Sequence, residues 1–405
     1  MKILKITDKL YLYIWLSALS FSLFFFSTTI SNAGTSISYS IAILMTIFIY
    51  YHQGYKLSFP DKRFLYPYLI FFCLLFISTI AIADKISLYY LWKYFTWSFP
   101  FFLFYYASCV KCNCLTKVYQ ITTFEILSAF SAVSLYLFLT SPLGTRITGF
   151  SNQANLYAIL IESVLPYGVF SMVMIWKNKL YIEKYGYVSK ILPCFIVVLG
   201  IISLLLTQSR GACAGFVISF LLLLAIQISI RKNHFSLTMK KIFLACIVMF
   251  GIVGILFLHT GYLSRGYDGE RILLWKSSYQ MWQDHKLLGV GFSNWKAEYD
   301  DKYISPRAKE PNLTMPHNVF ISFFSRTGLI GGAGYVIFVL GELAFLIQRM
   351  KNDPNDLSYQ AMFWAFLTIT LHGFVDAGIT NKFAMQIFFS YSGIVLGSHR
   401  LLKKA

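Results

Sequence analysis

The sequence predicts an all-α, polytopic membrane protein, and three observations carry that reading. Of 405 residues, 57% are hydrophobic and only 13% charged, against roughly 25% charged in a soluble domain. Apolar runs of the roughly 20 residues needed to cross about 30 Å of hydrocarbon recur along nearly the whole chain. The basic residues collect at alternate ends of those runs, as they do where loops face the cytoplasm.

The runs divide into about twelve expected spans: Leu10 to Ser27, Ser36 to Tyr51, Leu65 to Ile82, Leu88 to Ala107, Val118 to Leu139, Leu156 to Ile175, Ile191 to Leu206, Ala212 to Ile230, Ile242 to His259, Val319 to Ile347, Ala361 to Val375 and Phe383 to Gly397. The first is expected to be retained, because no small-residue cleavage site follows it. With the amino terminus inside, the cytoplasmic segments gather Lys2, Lys5 and Lys9; Lys56, Lys62 and Arg63; Lys177, Lys179, Lys184 and Lys190; and Arg400, Lys403 and Lys404. The opposite loops hold little beyond Lys85, Arg146, Arg210 and Lys382. The net charge of +18 therefore marks topology, with both termini cytoplasmic, and not a nucleic-acid partner.

Three regions follow: residues 1–259 with nine spans, an outer loop at 260–316, and residues 317–405 with three spans. Loops as long as the middle region are uncommon unless they are functional or disordered. After Asp268, a candidate N-cap, Ile272, Trp275, Tyr279 and Trp282 recur at helical spacing and predict one apolar face of an amphipathic helix. Packing is the commoner use of such a stripe, and sugar stacking the functional alternative. Cys109, Cys112 and Cys114 read as reduced cytoplasmic thiols, since a zinc site there lacks a fourth ligand at usable spacing.

The candidate site lies on the outer face. Arg146 precedes the sixth span, Arg210 sits in the TQSRGA turn, Arg265 and Arg271 lie in the long loop, and His317 and Asn318 open the tenth span. Arginines and a histidine without a carboxylate cluster suit an anionic substrate, because guanidinium forks match phosphate in two-point contacts. Asp300 and Asp301 read as a solvated pair, and no metal or other cofactor is expected. Glu162 and Arg326 are charges inside spans without a nameable partner.

In their order, TRITGFSNQAN, TQSRGA, GERILLWKSSYQMWQDHKLLGVGFSNW and PHNVFISFFSRTGLIGG resemble the bacterial O-antigen ligases, within the superfamily that also holds O-antigen polymerases. The resemblance extends over essentially the whole chain. It implies a GT-C-like glycosyltransferase of the inner membrane that works on the periplasmic face. Its donor would be a glycan on undecaprenyl pyrophosphate and its acceptor a sugar hydroxyl of lipid A-core, with membrane lipid around it, no nucleic acid, and an open oligomeric state. The family's catalytic residues fall on Arg210, Arg271 and His317. Arg146, Arg265, Trp275 and Asn318 are the candidate substrate contacts, with Arg265 matching no family motif and Arg146 equally suited to lipid headgroups.

The chemistry accounts for these residue types. An acceptor hydroxyl attacks the anomeric carbon while pyrophosphate departs, so negative charge grows on the leaving group. Unit charges about 4 Å apart interact by roughly 4 kcal/mol at an effective dielectric near 20, so fixed arginines serve where other enzymes use a divalent ion. His317 at a helix amino terminus suits proton acceptance or acceptor orientation. A polymerase of the same superfamily, a protein O-oligosaccharyltransferase and a twelve-span transporter are the alternatives. The oligosaccharyltransferase is disfavoured because no further domain follows the last span. The transporter is disfavoured because no internal repeat relates the halves.

Overall fold

The computed structural model describes residues 16, 19, 20, 22–24, 26, 27, 32–53, 58–109, 113–142, 144–151, 153–178, 183, 186–231, 268–309 and 312–402. The span expected at 242–259, most of the first span and Arg265 lie outside them. Every regular element among the described residues is helical. In chain order the α-helices are α1 (Asn32–Gln53), α2 (Lys62–Ile82), α3 (Lys85–Thr96), α4 (Pro100–Ser108), α5 (Asn113–Thr140), α6 (Ala154–Lys177), α7 (Val188–Leu206), α8 (Arg210–Arg231), α9 (Asp268–Asp284), α10 (Trp295–Glu298), α11 (Val319–Asn352), α12 (Leu357–His372) and α13 (Lys382–Leu402).

Among the described residues seven helices are long and apolar enough to cross a membrane: α1, α2, α5, α6, α7, α8 and α11. The single span expected at Leu88 to Ala107 is two short helices, α3 and α4. Pro100 has no N–H to give the Thr96 carbonyl, so the helix stops and restarts. The helix expected at 361–375 is α12, 16 residues long and short of a full crossing by itself.

The chain forms two compact units. The first comprises residues 1–61, 97–209 and 382–405. There α13 lies against α4 at Gly393 and Gly397, where an added Cβ would come within 2.3 Å of the Phe101 carbonyl and 2.4 Å of the Tyr105 carbonyl. Small residues four apart let helix backbones approach where lipid supplies no hydrophobic drive. Tyr167 of α6 stacks on Tyr391 of α13, ring centres 4.0 Å apart, and Thr123 of α5 shares a 2.7 Å hydrogen bond with the same tyrosine.

The second unit comprises residues 62–96 and 210–381. Its core pairs α11 with α2, the Phe71 ring packing on Phe323, Tyr335 and Phe338. A second pair, α8 on α12, closes at Gly211 and Gly215, which face His372 and Thr368. Trp364 donates to the Phe216 carbonyl at 2.9 Å across this seam.

Helix α11 is broken at Gly328, whose φ of 63° and ψ of −162° leave the helical region. The released backbone groups pair with residues 286–291. Val290 N–H donates to Ser325 (3.1 Å), Gly291 N–H to Arg326 (2.9 Å), and Leu329 N–H returns to Lys286 (2.7 Å). The Ser78 hydroxyl lies 2.8 Å from both the Leu288 and the Thr327 carbonyl. A non-helical break inside a long apolar helix persists only when other protein groups satisfy it. Gly289 at φ 71° has no room for a Cβ, which would meet the Arg326 carbonyl carbon at 2.4 Å.

The helix expected after Asp268 is present as α9, but its buried face is different. Leu274 and Met281 are fully enclosed with Val290, Trp295 and Tyr299, whereas Ile272 is 50% and Tyr279 55% exposed. Ser278 accepts a 3.1 Å hydrogen bond from the Trp295 indole, so two serines, Ser277 and Ser278, belong to the buried face. Asp300 and Asp301 are exposed beside Lys296 and Lys302, in keeping with the solvated reading.

Candidate functional site

The candidate site is assembled in the second unit by the entry to α11 and the turn after α12. Asn318 caps α11, its Oδ1 accepting from Ile321 N–H at 3.0 Å, while its Nδ2 donates to the Phe374 carbonyl at 2.8 Å. Val319 N–H donates to the Gly373 carbonyl at 2.7 Å, and the rings of Phe320 and Phe374 stack 4.5 Å apart. These ties fix the residue before the cap, His317, opposite the residue after the turn, Asp376. Asn318 thus spends both polar groups on the fold.

His317 has φ +50°, a left-handed conformation that is uncommon for a side chain with a Cβ and that collects at functional sites. Its Nδ1 lies 3.6 Å from Asp376 Oδ1, close enough for charge coupling but beyond a hydrogen bond. From α9, Arg271 Nη2 approaches the other oxygen, Oδ2, at 3.5 Å. Asp376 is 3% exposed and also accepts from Ala377 N–H at 2.7 Å. Burial alone would raise its pKa. His317, the neighbouring His372 and the Ala377 amide outweigh burial and hold the carboxyl well below the usual carboxylate range.

Arg210 opens α8. The next residue, Gly211, abuts the rings and branches of the same turn: its ideal Cβ would lie 2.4 Å from Val375 and 2.9 Å from His372. The α8–α12 seam therefore brings the start of α8, Arg210 and Gly211, alongside the chain that carries His372 and Asp376. Trp275, one turn beyond Arg271, is half-buried, and its indole N–H is enclosed without a hydrogen-bond partner among the described residues.

Arg146 is placed in the first unit, where Nε donates to the Thr207 carbonyl (3.1 Å) and Nη2 to Asn155 (2.6 Å). It anchors the turn that leads to Arg210. The structure thus brings Arg271 and His317 to one carboxylate and sets Arg210 beside the same turn, while Arg265 is outside the described residues.

Sequence reasoning missed Asp376 and His372. The signal was an aspartate in the apolar stretch GFVDAGI at the end of an expected span, an intramembrane-edge charge of the kind that marks a site. Among the described residues no three His, Cys, Asp or Glu side chains form a metal-ligand group. What the arrangement offers is a buried anion with an imidazole and a guanidinium on its two oxygens. Such a group can orient a base and present cationic donors to a phosphoryl ester.

No curated protein matches this chain. Residues 195–336 match the family model described as O-antigen ligase, a stretch that contains Arg210, Arg271 and His317 and ends before Asp376. That stretch, about a third of the chain, is what this protein shares in sequence with the O-antigen ligases.

Proposed function

We propose that the protein is an O-antigen ligase of a bacterial inner membrane. It transfers a glycan from undecaprenyl pyrophosphate to a sugar hydroxyl of lipid A-core on the periplasmic face, without a metal ion. The observation that carries the reading is Asp376 between Arg271 and His317. With Asp376 beside Nδ1, the favoured neutral tautomer of His317 keeps its proton there, and Nε2 is left to accept one.

The acceptor hydroxyl gives its proton to Nε2 as its oxygen bonds to the anomeric carbon. The bond from that carbon to the pyrophosphate oxygen breaks, and undecaprenyl pyrophosphate leaves with the electron pair. A single displacement inverts the anomeric centre. Arg271 keeps further N–H donors beyond the one facing Asp376, and with Arg210 these meet the charge that grows on the leaving group, the part of the interaction that lowers the barrier. Trp275, half-buried one turn along α9 from Arg271, offers part of its ring to the sugar.

The test separates acceptors. Purified protein in proteoliposomes receives the undecaprenyl-linked glycan with lipid A-core, in EDTA. Glycosylated lipid A-core supports the ligase. Longer lipid-linked chains with lipid A-core untouched assign a polymerase, and neither product removes the transferase reading.

A further inference from the structure

Arg326 takes no part in the proposed reaction, yet it lies seven residues into α11, roughly 10 Å along the helix axis from Val319. It is the penultimate residue of the first segment of the broken helix, and its backbone is clamped by Gly291 N–H on its own carbonyl and Val290 N–H on that of Ser325. The side chain is half-buried, and of its three nitrogens Nε alone is fully enclosed without a hydrogen-bond partner.

The usual structural uses of such an arginine are already filled. The carbonyls of residues 325, 326 and 327 accept from Val290, Gly291 and Ser78, so the guanidinium is not needed to cap its own helix segment. Among the described residues no carboxylate lies within ion-pair distance of it. The dipole of a nine-residue segment offsets only a fraction of the cost of a guanidinium at that depth. A cation on a clamped backbone segment, with no carboxylate beside it among the described residues, calls for an anion, and a lipid phosphoryl group is one that the surroundings of α11 can supply.

We infer that Arg326 binds the phosphoryl group of a lipid at the break in α11. Arginine presents a planar fork that suits phosphate oxygens. In the transferase reading, on which the identity of the ligand rests, that lipid is the polyprenyl pyrophosphate donor. A phospholipid headgroup has the same chemistry.

The experiment measures binding without glycan transfer. The full chain in phosphatidylcholine nanodiscs is titrated with undecaprenyl pyrophosphate, and with undecaprenol as the phosphate-free control, and binding is read by native mass spectrometry. A parallel arm uses nanodiscs containing phosphatidylglycerol. The wild type binds the phosphorylated lipid over the alcohol. Arg326→Gln weakens that binding about tenfold or more, and Arg326→Lys weakens it less. Loss confined to the phosphatidylglycerol arm assigns the phosphoryl group to bilayer lipid.

Binding by Arg326→Gln equal to wild type in both arms overturns the inference. Where Arg326→Gln does not fold, phenylglyoxal modification of wild-type Arg326 decides. Slowing by undecaprenyl pyrophosphate or by phosphatidylglycerol supports the inference, and no slowing by either overturns it. Because binding is read apart from chemistry, a wild type that binds through Arg326 but transfers nothing removes the transferase reading and leaves this one.

Discussion

His317 Nδ1 and Asp376 Oδ1 stand 3.6 Å apart, although 59 positions separate the two residues in the chain. The distance is held by backbone and cap: Val319 to Gly373 and Asn318 to Phe374 join the segments that carry them. An imidazole beside a buried carboxylate is the arrangement that fixes a base in one tautomer.

Replacing Asp376 with Asn keeps the size of the side chain and removes the charge. Transfer is expected to fall about a hundredfold or more, with KM for the lipid-linked donor changed much less. Steady-state kinetics in proteoliposomes check the split. A rise in KM with kcat unchanged would assign Asp376 to donor binding.

The depressed pKa of Asp376 fixes the sign of its pH effect. A carboxyl lowered in the folded state contributes stability that is present above its unfolded pKa near 3.9 and is lost as pH falls through the folded value. Thermal melts of wild type and Asp376→Asn in the same detergent should therefore remain separated from pH 5 to 8. The two should converge only below about pH 4. Convergence already at pH 6 would show that the carboxylate is not held low.

Strain at His317 separates stability from activity. At φ +50° an alanine meets the same left-handed penalty, about 1 kcal/mol or somewhat more, that glycine avoids. His317→Gly is expected to melt above His317→Ala, while both lose transfer. A glycine variant less stable than the alanine variant would place the left-handed backbone in doubt.

At the α8–α12 seam, a Cβ on Gly211 would sit 2.4 Å from Val375 and 2.9 Å from His372, so something must move. Gly211→Ala is expected to cost about 1–3 kcal/mol and to lower transfer by shifting the turn that carries Asp376. Melting temperature and activity measured together check this. Wild-type activity in a destabilised variant would uncouple the seam from the site.

How much of this was legible beforehand depended on which interactions local pattern can record. Arg210, Arg271 and His317 stood out because charge is rare in so apolar a chain. Asp376 did not, because it sits one residue beyond an expected span and its partners come from distant segments. The face of α9 was misread because Ser277 and Ser278 look solvent-facing by type, yet pack on Trp295 and its neighbours. Pro100 was a visible stop signal in the run from 88 to 107, overridden there by hydrophobicity alone. The break at Gly328 was unreadable locally, since it exists only because residues 286–291 arrive to satisfy it.

The central claim is that His317 and Asp376 act as one unit, and a double-mutant cycle on the transfer rate tests it most directly. Transfer from undecaprenyl-pyrophosphate glycan to lipid A-core is measured for wild type, His317→Ala, Asp376→Asn and the double variant, each checked for folding. If Asp376 works through His317, the double variant is no slower than His317→Ala alone. Losses that multiply would show that the two residues contribute independently and would contradict the account.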